Sequence, residues 1–204
     1  MHPSDEQLVT AYLDQNDQRA FSLLVQRHQE RIFGYLLGMV HDRNLANDLF
    51  QETFLRVIKA MNNQRGSYTQ QGRWLAWVMR IARNATLDHL RSRKKWQDVS
   101  DKEDEDQTSF WDRLPDDAPM PDELLKHAEQ RDWLDACIDK LSPEQKEVLL
   151  LRHESELTFR EIAELTDCSI NTALGRMRYA LLNLRQMMGD KKKPPANVSE
   201  LLWD

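Results

Sequence analysis

Helix-breaking residues are scarce over the first half of this chain. No proline occurs between Pro3 and Pro115, and the 204 residues include only 6 glycines. Long helices are therefore permitted there, because proline lacks the amide that a helix interior needs and glycine costs conformational entropy. The composition favours an all-α fold, and the length allows one large domain or two small ones.

Clustered cysteines, clustered histidines and long apolar runs are also lacking. Cys137 and Cys168 are the only cysteines, and neither lies in a CxxC or Cys/His cluster. The 6 histidines are scattered singly, so no structural zinc site or other cofactor is expected. No apolar run could cross a bilayer and no apolar signal segment begins the sequence, which favours a reduced, cytoplasmic protein without membrane insertion.

The net charge of -6 would argue against a nucleic-acid partner if the charges were spread evenly. They are not, because residues 97–123 hold 11 acidic and 2 basic side chains, whereas residues 1–96 hold 14 basic and 9 acidic ones. Residues 73–95 alone carry 7 basic side chains against the single acid Asp88. A basic stripe within an acidic protein is typical of a contact with nucleic-acid phosphates.

Capping residues and apolar periodicity predict four helices in the N-terminal part of the chain. Ser4 and Asp17 have the pattern of N-caps, and apolar side chains then recur at the 3.6-residue spacing of buried helix faces. The predicted helices cover about residues 5–14, 18–40, 43–61 and 73–95. They are expected to form one bundle domain over residues 1–96.

Residues 141–185 contain two short helical patterns separated by a polar break. Thr158 and Glu161 have the spacing of a capping box, so a helix is expected to begin there. The tripeptide 167–169 ends that helix, and Ser169 can cap a second one whose apolar positions repeat at helical spacing. This is a helix-turn-helix pattern, and the second helix of such a unit fits the major groove of DNA.

Residues 97–123 combine like charges with prolines, a composition that cannot bury enough apolar surface to become ordered. They are predicted to be a flexible acidic linker. A second helical domain is expected over residues 124–188, with helices at about 123–140 and from Pro143. Residues 189–204 are predicted to be a tail.

Two helix faces each permit more than one interpretation. Asp48, Gln51, Glu52 and Leu55 share a mixed acidic face that is either solvated, with a Glu52 to Arg56 pair, or a docking face for a basic partner helix. Taken alone, the solvated face is favoured. Trp74 and Trp77 lie beside several arginines, so they either stack on bases of opened DNA or belong to the core, which is the favoured interpretation for Trp77.

Several motifs in fixed order give the chain its family resemblance. They are DLFQETFLRV, then WLAWVMRIARN and LDHLR, an acidic segment, and finally LSPEQKEVLLLRH and LTFREIAELTDCSINTALGRMRYAL. In these motifs residues 5–188 closely resemble the extracytoplasmic-function (ECF) sigma factors of bacterial RNA polymerase. The resemblance implies a sigma region 2-like four-helix bundle joined to a region 4-like helix-turn-helix domain. It also implies a non-enzymatic subunit that directs promoter recognition, DNA melting and transcription initiation.

The same resemblance implies three sets of site residues. Core polymerase would be bound by Asp48, Gln51, Glu52 and Leu55. Minus-ten DNA would be recognised and opened by Arg65, Ser67, Tyr68, Arg73, Trp74, Trp77, Arg80, Arg83, Asn84, Arg91 and Arg93, with the loop before the helix receiving a flipped base. Minus-thirty-five DNA would be read by Ser169, Asn171, Thr172, Arg176 and Arg178. The implied partners are core RNA polymerase and promoter DNA, both as duplex and as opened non-template strand. Such factors are commonly held inactive by an anti-sigma protein, which is a further candidate partner.

The second helix of the helix-turn-helix departs from the family pattern at two positions. Family members often carry lysine and serine before the arginine, whereas this chain has Leu174 and Gly175 before Arg176. A leucine cannot make a charge-assisted phosphate contact, and a glycine costs roughly 1 kcal/mol of helix propensity. The minus-thirty-five contact is therefore predicted to be weaker, or to depend on the remaining polar residues.

Two other functions stay open at this point. A helix-turn-helix regulator that binds duplex operators as a dimer would explain residues 141–185. It would give no role to the mixed acidic face or to the predicted helix at 73–95 with its tryptophans and arginines. An inhibitory interaction protein would bind core polymerase without promoter-specific transcription. No nucleotide-binding glycine loop or catalytic triad is visible, so an enzyme is not expected.

Overall fold

A computed structural model describes residues 3–62, 73–100 and 133–189 of the chain. Its helices are α1 (Asp5–Gln15), α2 (Gln18–Val40), α3 (Arg43–Asn62), α4 (Trp74–Ser100), α5 (Pro143–His153), α6 (Phe159–Leu165) and α7 (Ile170–Gly189). Residues 133–138 are also helical. No strand occurs within the described ranges, so the all-α prediction is confirmed there. None of the helices in these ranges is long and apolar enough to span a membrane.

The predicted helix starts are confirmed because the capping side chains bind the free amides. The Ser4 hydroxyl accepts a hydrogen bond from the Gln7 amide at 3.3 Å. Asp17 accepts from the amides of Arg19 and Ala20, and Ser142 caps α5 with Pro143 at its first position. Each such cap stabilises a helix by about 1 kcal/mol.

Helix α4 is longer than predicted, since it continues past Lys95 to Ser100. Its 27 residues contain neither proline nor glycine, so nothing in the sequence breaks the helix before the acidic segment. The remainder of the predicted linker, the first part of the predicted 123–140 helix and the predicted tail beyond Gly189 lie outside the described residues.

The N-terminal and C-terminal helices share one apolar core. Leu24, Ile32, Tyr35 and Leu36 of α2 are buried against α3 and α4, and the same cluster continues into α5 and α6. Members from the C-terminal half include Val148, Leu151 and Ile162. A smaller cluster around Leu149, Ala180 and Leu184 packs α5 against α7. The two halves that the sequence separates are therefore packed against each other.

Two glycines mark where α2 meets α5. A Cβ atom on Gly38 would lie 2.7 Å from Cδ2 of Leu150, closer than side chains approach each other. A Cβ atom on Gly34, one turn earlier, would lie 2.5 Å from Oε2 of Glu154. The absence of side chains at these positions lets the two helices approach closely.

Candidate nucleic-acid interface

One face of α3 carries all four candidate polymerase contacts. Asp48, Gln51 and Leu55 are exposed and Glu52 is half-buried, while the intervening Leu49 and Thr53 are buried against the core. Leu55 is 68 % exposed, compared with 46 % for Leu23 of α2. Glu52 Oε1 accepts a hydrogen bond from Arg56 Nη2 at 2.5 Å, as the solvated-face interpretation predicts. We call these four residues the α3 face.

The outward side of α4 is basic. Arg80, Asn84, Arg91 and Arg93 are exposed, and Asp88 lies at 3.9 Å from Arg91. That pair is solvent-exposed on both sides, so it leaves the positive field of the helix largely intact. Four of the predicted minus-ten residues therefore stand on an accessible surface.

The two tryptophans of α4 lie in the core. Trp74 is only 1 % exposed and Trp77 is also buried, and both belong to the shared apolar core. The core interpretation that the sequence favours for Trp77 therefore holds in the structure for Trp74 as well. Base stacking requires an open ring face, and neither ring offers one in this conformation.

His28 of α2 lies beside Trp74, with 5.3 Å between ring centroids. Its Nε2 is 2.7 Å from Oδ2 of Asp5, whereas its Nδ1 is buried and has no hydrogen-bond partner among the described residues. Burial lowers the pKa of His28 even though Asp5 favours the charged form. The neutral imidazole fits this site because protonation would place an unpaired N–H in the core.

Arg83, a predicted minus-ten residue, is held by the C-terminal half. Its Nε donates to Oε1 of Glu147 at 2.8 Å, and its Nη2 donates to Oε2 at 3.1 Å. The side chains are 19 % and 8 % exposed, so the ion pair is largely shielded from water. Burial and the nearby Glu147 carboxylate also raise the pKa of Tyr35, which keeps that phenol neutral. In this conformation Arg83 is not available to a phosphate.

A second predicted minus-ten residue is paired in the same way. Arg73 Nη1 donates to Oε2 of Glu164 on α6 at 2.7 Å. Arg31 and Glu156 form a further pair between the halves, and the His41 ring lies 2.5 Å from Asp139. The pairs of Arg73 and Arg31 are more exposed than that of Arg83, so each stabilises the contact less.

Glu147 and Glu164 are not identified by the sequence alone as partners of these arginines. Glu147 did carry a signal, because it lies on the same helix face as Val148 and Leu151, which are buried. A charged side chain on an apolar stripe needs a partner in the core. Which arginine fills that need is decided by the packing of α4 on α5, 64 residues apart in sequence.

The helix-turn-helix forms as predicted. The Thr158 hydroxyl accepts from the Glu161 amide at 3.3 Å, and the Glu161 carboxylate accepts from the Thr158 amide at 2.8 Å. Asp167 turns the chain with a left-handed φ of 52°. The Ser169 hydroxyl then accepts from the Thr172 amide at 3.0 Å, which caps α7.

Helix α7 presents a mixed outward surface. Asn171, Thr172 and Arg178 are exposed and Arg176 is half-buried. The pKa of the Glu144 carboxyl is lowered mainly by that group's own hydrogen bonds and to a smaller extent by the positive charge of Arg176. The Ser169 and Thr172 hydroxyls lie 2.8 Å apart and bond to each other, so both serve the cap. The five predicted minus-thirty-five residues are thus all on the first half of one helix or at its cap.

Three predicted site residues lie outside the described residues, namely Arg65, Ser67 and Tyr68. Within the described ranges, no group of three His, Cys, Asp or Glu side chains could hold a metal ion.

Comparison with family models assigns both halves of the chain. Residues 24–96 match the sigma-70 region 2 model, and residues 131–182 match the sigma-70 region 4 model. The chain is 34 % identical over 173 residues to the RNA polymerase sigma factor CarQ of Myxococcus xanthus, covering 85 % of this chain and 91 % of that protein. It is 31 % identical over 174 residues to the RNA polymerase sigma-H factor of Pseudomonas aeruginosa, covering 85 % and 88 %.

A solved structure shares the fold. It is the sigma factor RpoE in complex with the anti-sigma factor NepR from Bartonella quintana, which matches with a TM-score of 0.64 over 84 % of this chain and 98 % of that chain. The sequence identity is 17 %, so this match supports the arrangement of helices alone.

Proposed function

The chain belongs to the ECF group of the sigma-70 family of RNA polymerase sigma factors and acts in transcription initiation, and we propose that it does so through three separate surfaces. The α3 face binds core polymerase, α4 binds and opens minus-ten DNA, and α7 reads the minus-thirty-five duplex. The α4 surface lies within the proposed region 2 domain of residues 1–96, and α7 within the proposed region 4 domain of residues 124–188.

The polymerase contact is supported by the composition of the α3 face. Leu55 supplies an exposed apolar anchor, and Asp48 and Glu52 supply negative charge around it. An apolar centre with a charged rim is the usual anatomy of a protein interface, and acidic side chains select a basic partner surface.

The minus-ten contact is supported by the exposed cations of α4. Arg80, Arg91 and Arg93 can hold phosphates, and Asn84 can bond to a base edge. The energy of melting would come from these contacts and from bases captured in the opened strand.

Full engagement of minus-ten DNA requires the two halves to part. Arg73 and Arg83 become available only when Glu164 and Glu147 release them. A phosphate can replace a carboxylate as the partner of an arginine, since both accept two parallel N–H bonds. We infer that promoter DNA and polymerase bind the separated arrangement, which shifts the population toward it.

The remaining features follow from the same proposal. The chain works by binding and catalyses no reaction, and its place of action is the cytoplasm, where polymerase and promoters are. An anti-sigma protein is a proposed partner, because the Bartonella quintana neighbour was solved in complex with one.

The observation that carries this proposal is the presence, in one chain, of the exposed α3 face and of the helix-turn-helix. Purified chain and core polymerase should together produce transcripts with defined start sites from genomic DNA fragments, and neither should do so alone. Binding to a duplex operator as a dimer, with no transcripts on addition of core polymerase, would instead support the regulator alternative. Co-purification with core polymerase without transcription would support the inhibitor alternative.

The variant Arg80→Ala should impair the opening of promoter DNA without impairing assembly with core polymerase. Arg80 is exposed and α4 is anchored by its buried stripe, so the variant should fold and bind core polymerase normally. Permanganate footprinting should show a weaker bubble. Unchanged permanganate reactivity of the promoter would contradict the proposed role of α4 in opening minus-ten DNA.

A further inference from the structure

The first half of α7 exposes two large apolar side chains one turn apart. Leu174 is 44 % exposed, and Ile170 on the preceding turn is exposed to a similar extent. Their neighbours Ala173 and Met177 face α5 and α6, so the helix already has its buried side. Ile170 and Leu174 therefore form an apolar surface that packing within the described helices does not account for.

The backbone beside Leu174 is also accessible. A Cβ atom placed on Gly175 would meet no atom within 4 Å. A glycine here weakens the helix, and packing does not require it. It does let a binding partner approach the helix backbone closely next to the leucine.

The charge of α7 indicates what kind of partner fits this surface. Between Ile170 and Gly189 the helix contains Arg176, Arg178 and Arg185 and no acidic residue. An anionic partner is attracted to such a helix. A second copy of the same face would bring arginines against arginines, which opposes self-association through it.

We propose that Leu174, supported by Ile170, reads the C5-methyl groups of thymines in the minus-thirty-five duplex. The proposal rests on the proposed function and adds a sequence preference to it. In the major groove the thymine methyl is the apolar group that a leucine can contact, whereas the other base edges offer hydrogen-bond donors and acceptors. Where a lysine would bind a phosphate, this chain gains apolar base contact and leaves phosphate binding to its arginines.

The test compares thymine with uracil, because the two bases differ only in that methyl group. A promoter duplex is first recovered from a random-sequence library with the polymerase holoenzyme containing this chain. It is then synthesised with single thymines of its minus-thirty-five segment replaced by deoxyuridine. Wild-type holoenzyme should bind at least one uracil-containing duplex about fourfold more weakly than the thymine-containing duplex, because one buried methyl group is lost. Holoenzyme with the Leu174→Ala variant should bind these two duplexes equally.

Two variants serve as controls. Leu182→Ala removes a leucine of similar exposure, 46 %, from the second half of the same helix, and it should keep the thymine preference. Arg178→Ala should weaken binding to both duplexes by the same factor, since a phosphate contact does not distinguish the two bases. This pattern separates loss of base reading from loss of DNA affinity.

The outcomes that overturn the proposal are distinct. Equal binding of both duplexes by wild type, a selected segment without thymine, or loss of the preference in Leu182→Ala would each exclude reading by Leu174. A change of oligomeric state in Leu174→Ala with an unchanged preference would show instead that the surface joins two copies. Failure to recover any duplex, together with no transcripts, would contradict the proposed function itself and the reading of thymine with it.

Discussion

Glu147 on α5 binds two nitrogens of Arg83 on α4 across the contact between the N-terminal and C-terminal halves, at 2.8 Å and 3.1 Å. The pair links the halves and occupies an arginine that the proposed minus-ten contact needs. When the halves part, both charges regain water, so separation costs less than leaving either charge buried alone. In the proposed mechanism the same two residues therefore influence both the packing of the halves and the binding of DNA.

Glu147→Gln should shift the chain toward separated halves. The neutral amide leaves Arg83 without a counter-charge in a largely buried position, which we expect to weaken the contact by about 1–3 kcal/mol. Small-angle scattering should show a larger radius of gyration, and a single-stranded promoter oligonucleotide should bind the free chain more tightly. Glu156→Gln is the matched control, because its pair with Arg31 is exposed and contributes at most about 1 kcal/mol. Equal effects of the two variants would contradict a special role for Glu147.

Gly38→Ala should disturb the packing of α2 on α5. The added Cβ would lie 2.7 Å from a methyl group of the buried Leu150, and overpacking of this kind costs about 1–3 kcal/mol. Gly175→Ala is the control, since it makes the same exchange in a helix with open space around it and should stabilise by about 0.5–1 kcal/mol. Urea unfolding should therefore separate the two variants. An equal gain in both would show that α5 yields to the added methyl group without cost.

Leu55→Ala should weaken the binding of core polymerase. If the exposed leucine becomes buried in the complex, its loss removes about 1.5–3 kcal/mol, or roughly 10-fold or more in Kd. Leu23→Ala removes another exposed leucine, from α2, and should leave the affinity unchanged. Both can be measured by fluorescence anisotropy with labelled chain and purified core enzyme. An unaltered Kd for Leu55→Ala would favour the solvated-face interpretation of α3.

The stability of the fold should decrease as pH falls through the range in which a free histidine titrates. Burial lowers the pKa of His28, so the folded state resists a proton that the unfolded state accepts. The stabilising effect is thus complete above about pH 6.5 and declines as the pH falls toward the lowered value. Urea unfolding at a series of pH values should show this decline in wild type and a smaller one in His28→Gln. An NMR titration that gives His28 a pKa above 6.5 would contradict the assignment.

Local patterns in the sequence were sufficient for the helices and for the helix-turn-helix. Ser4, Asp17, Thr158 and Ser169 act within three residues of themselves, so their caps can be predicted without knowing the fold. The end of α4 could not be placed in this way. Residues 96–100 contain neither a helix-breaking residue nor a pattern that strongly favours helix, so the sequence does not show that α4 continues to Ser100.

Contacts between distant segments could not be predicted. Arg73 and Arg83 fit the pattern of phosphate-binding residues, and their pairing with Glu164 and Glu147 depends on how the two halves pack. Trp74 stands one turn from Trp77 and among arginines, so composition alone permitted either stacking or burial. The orientation of α4 against α2 decides for burial in this structure.

Because the two halves share one core, their proposed separation is a reaction within one molecule. Its equilibrium does not change on dilution, unlike the dissociation of a separate inhibitor, so the fraction of competent chains would be the same in a cell with few copies as in one with many. A ligand that prefers the parted halves must overcome a fixed free energy, and its apparent affinity falls by the fraction of molecules that are parted. Raising the concentration of the factor alone would therefore increase the number of active molecules in proportion, without altering how readily each one opens.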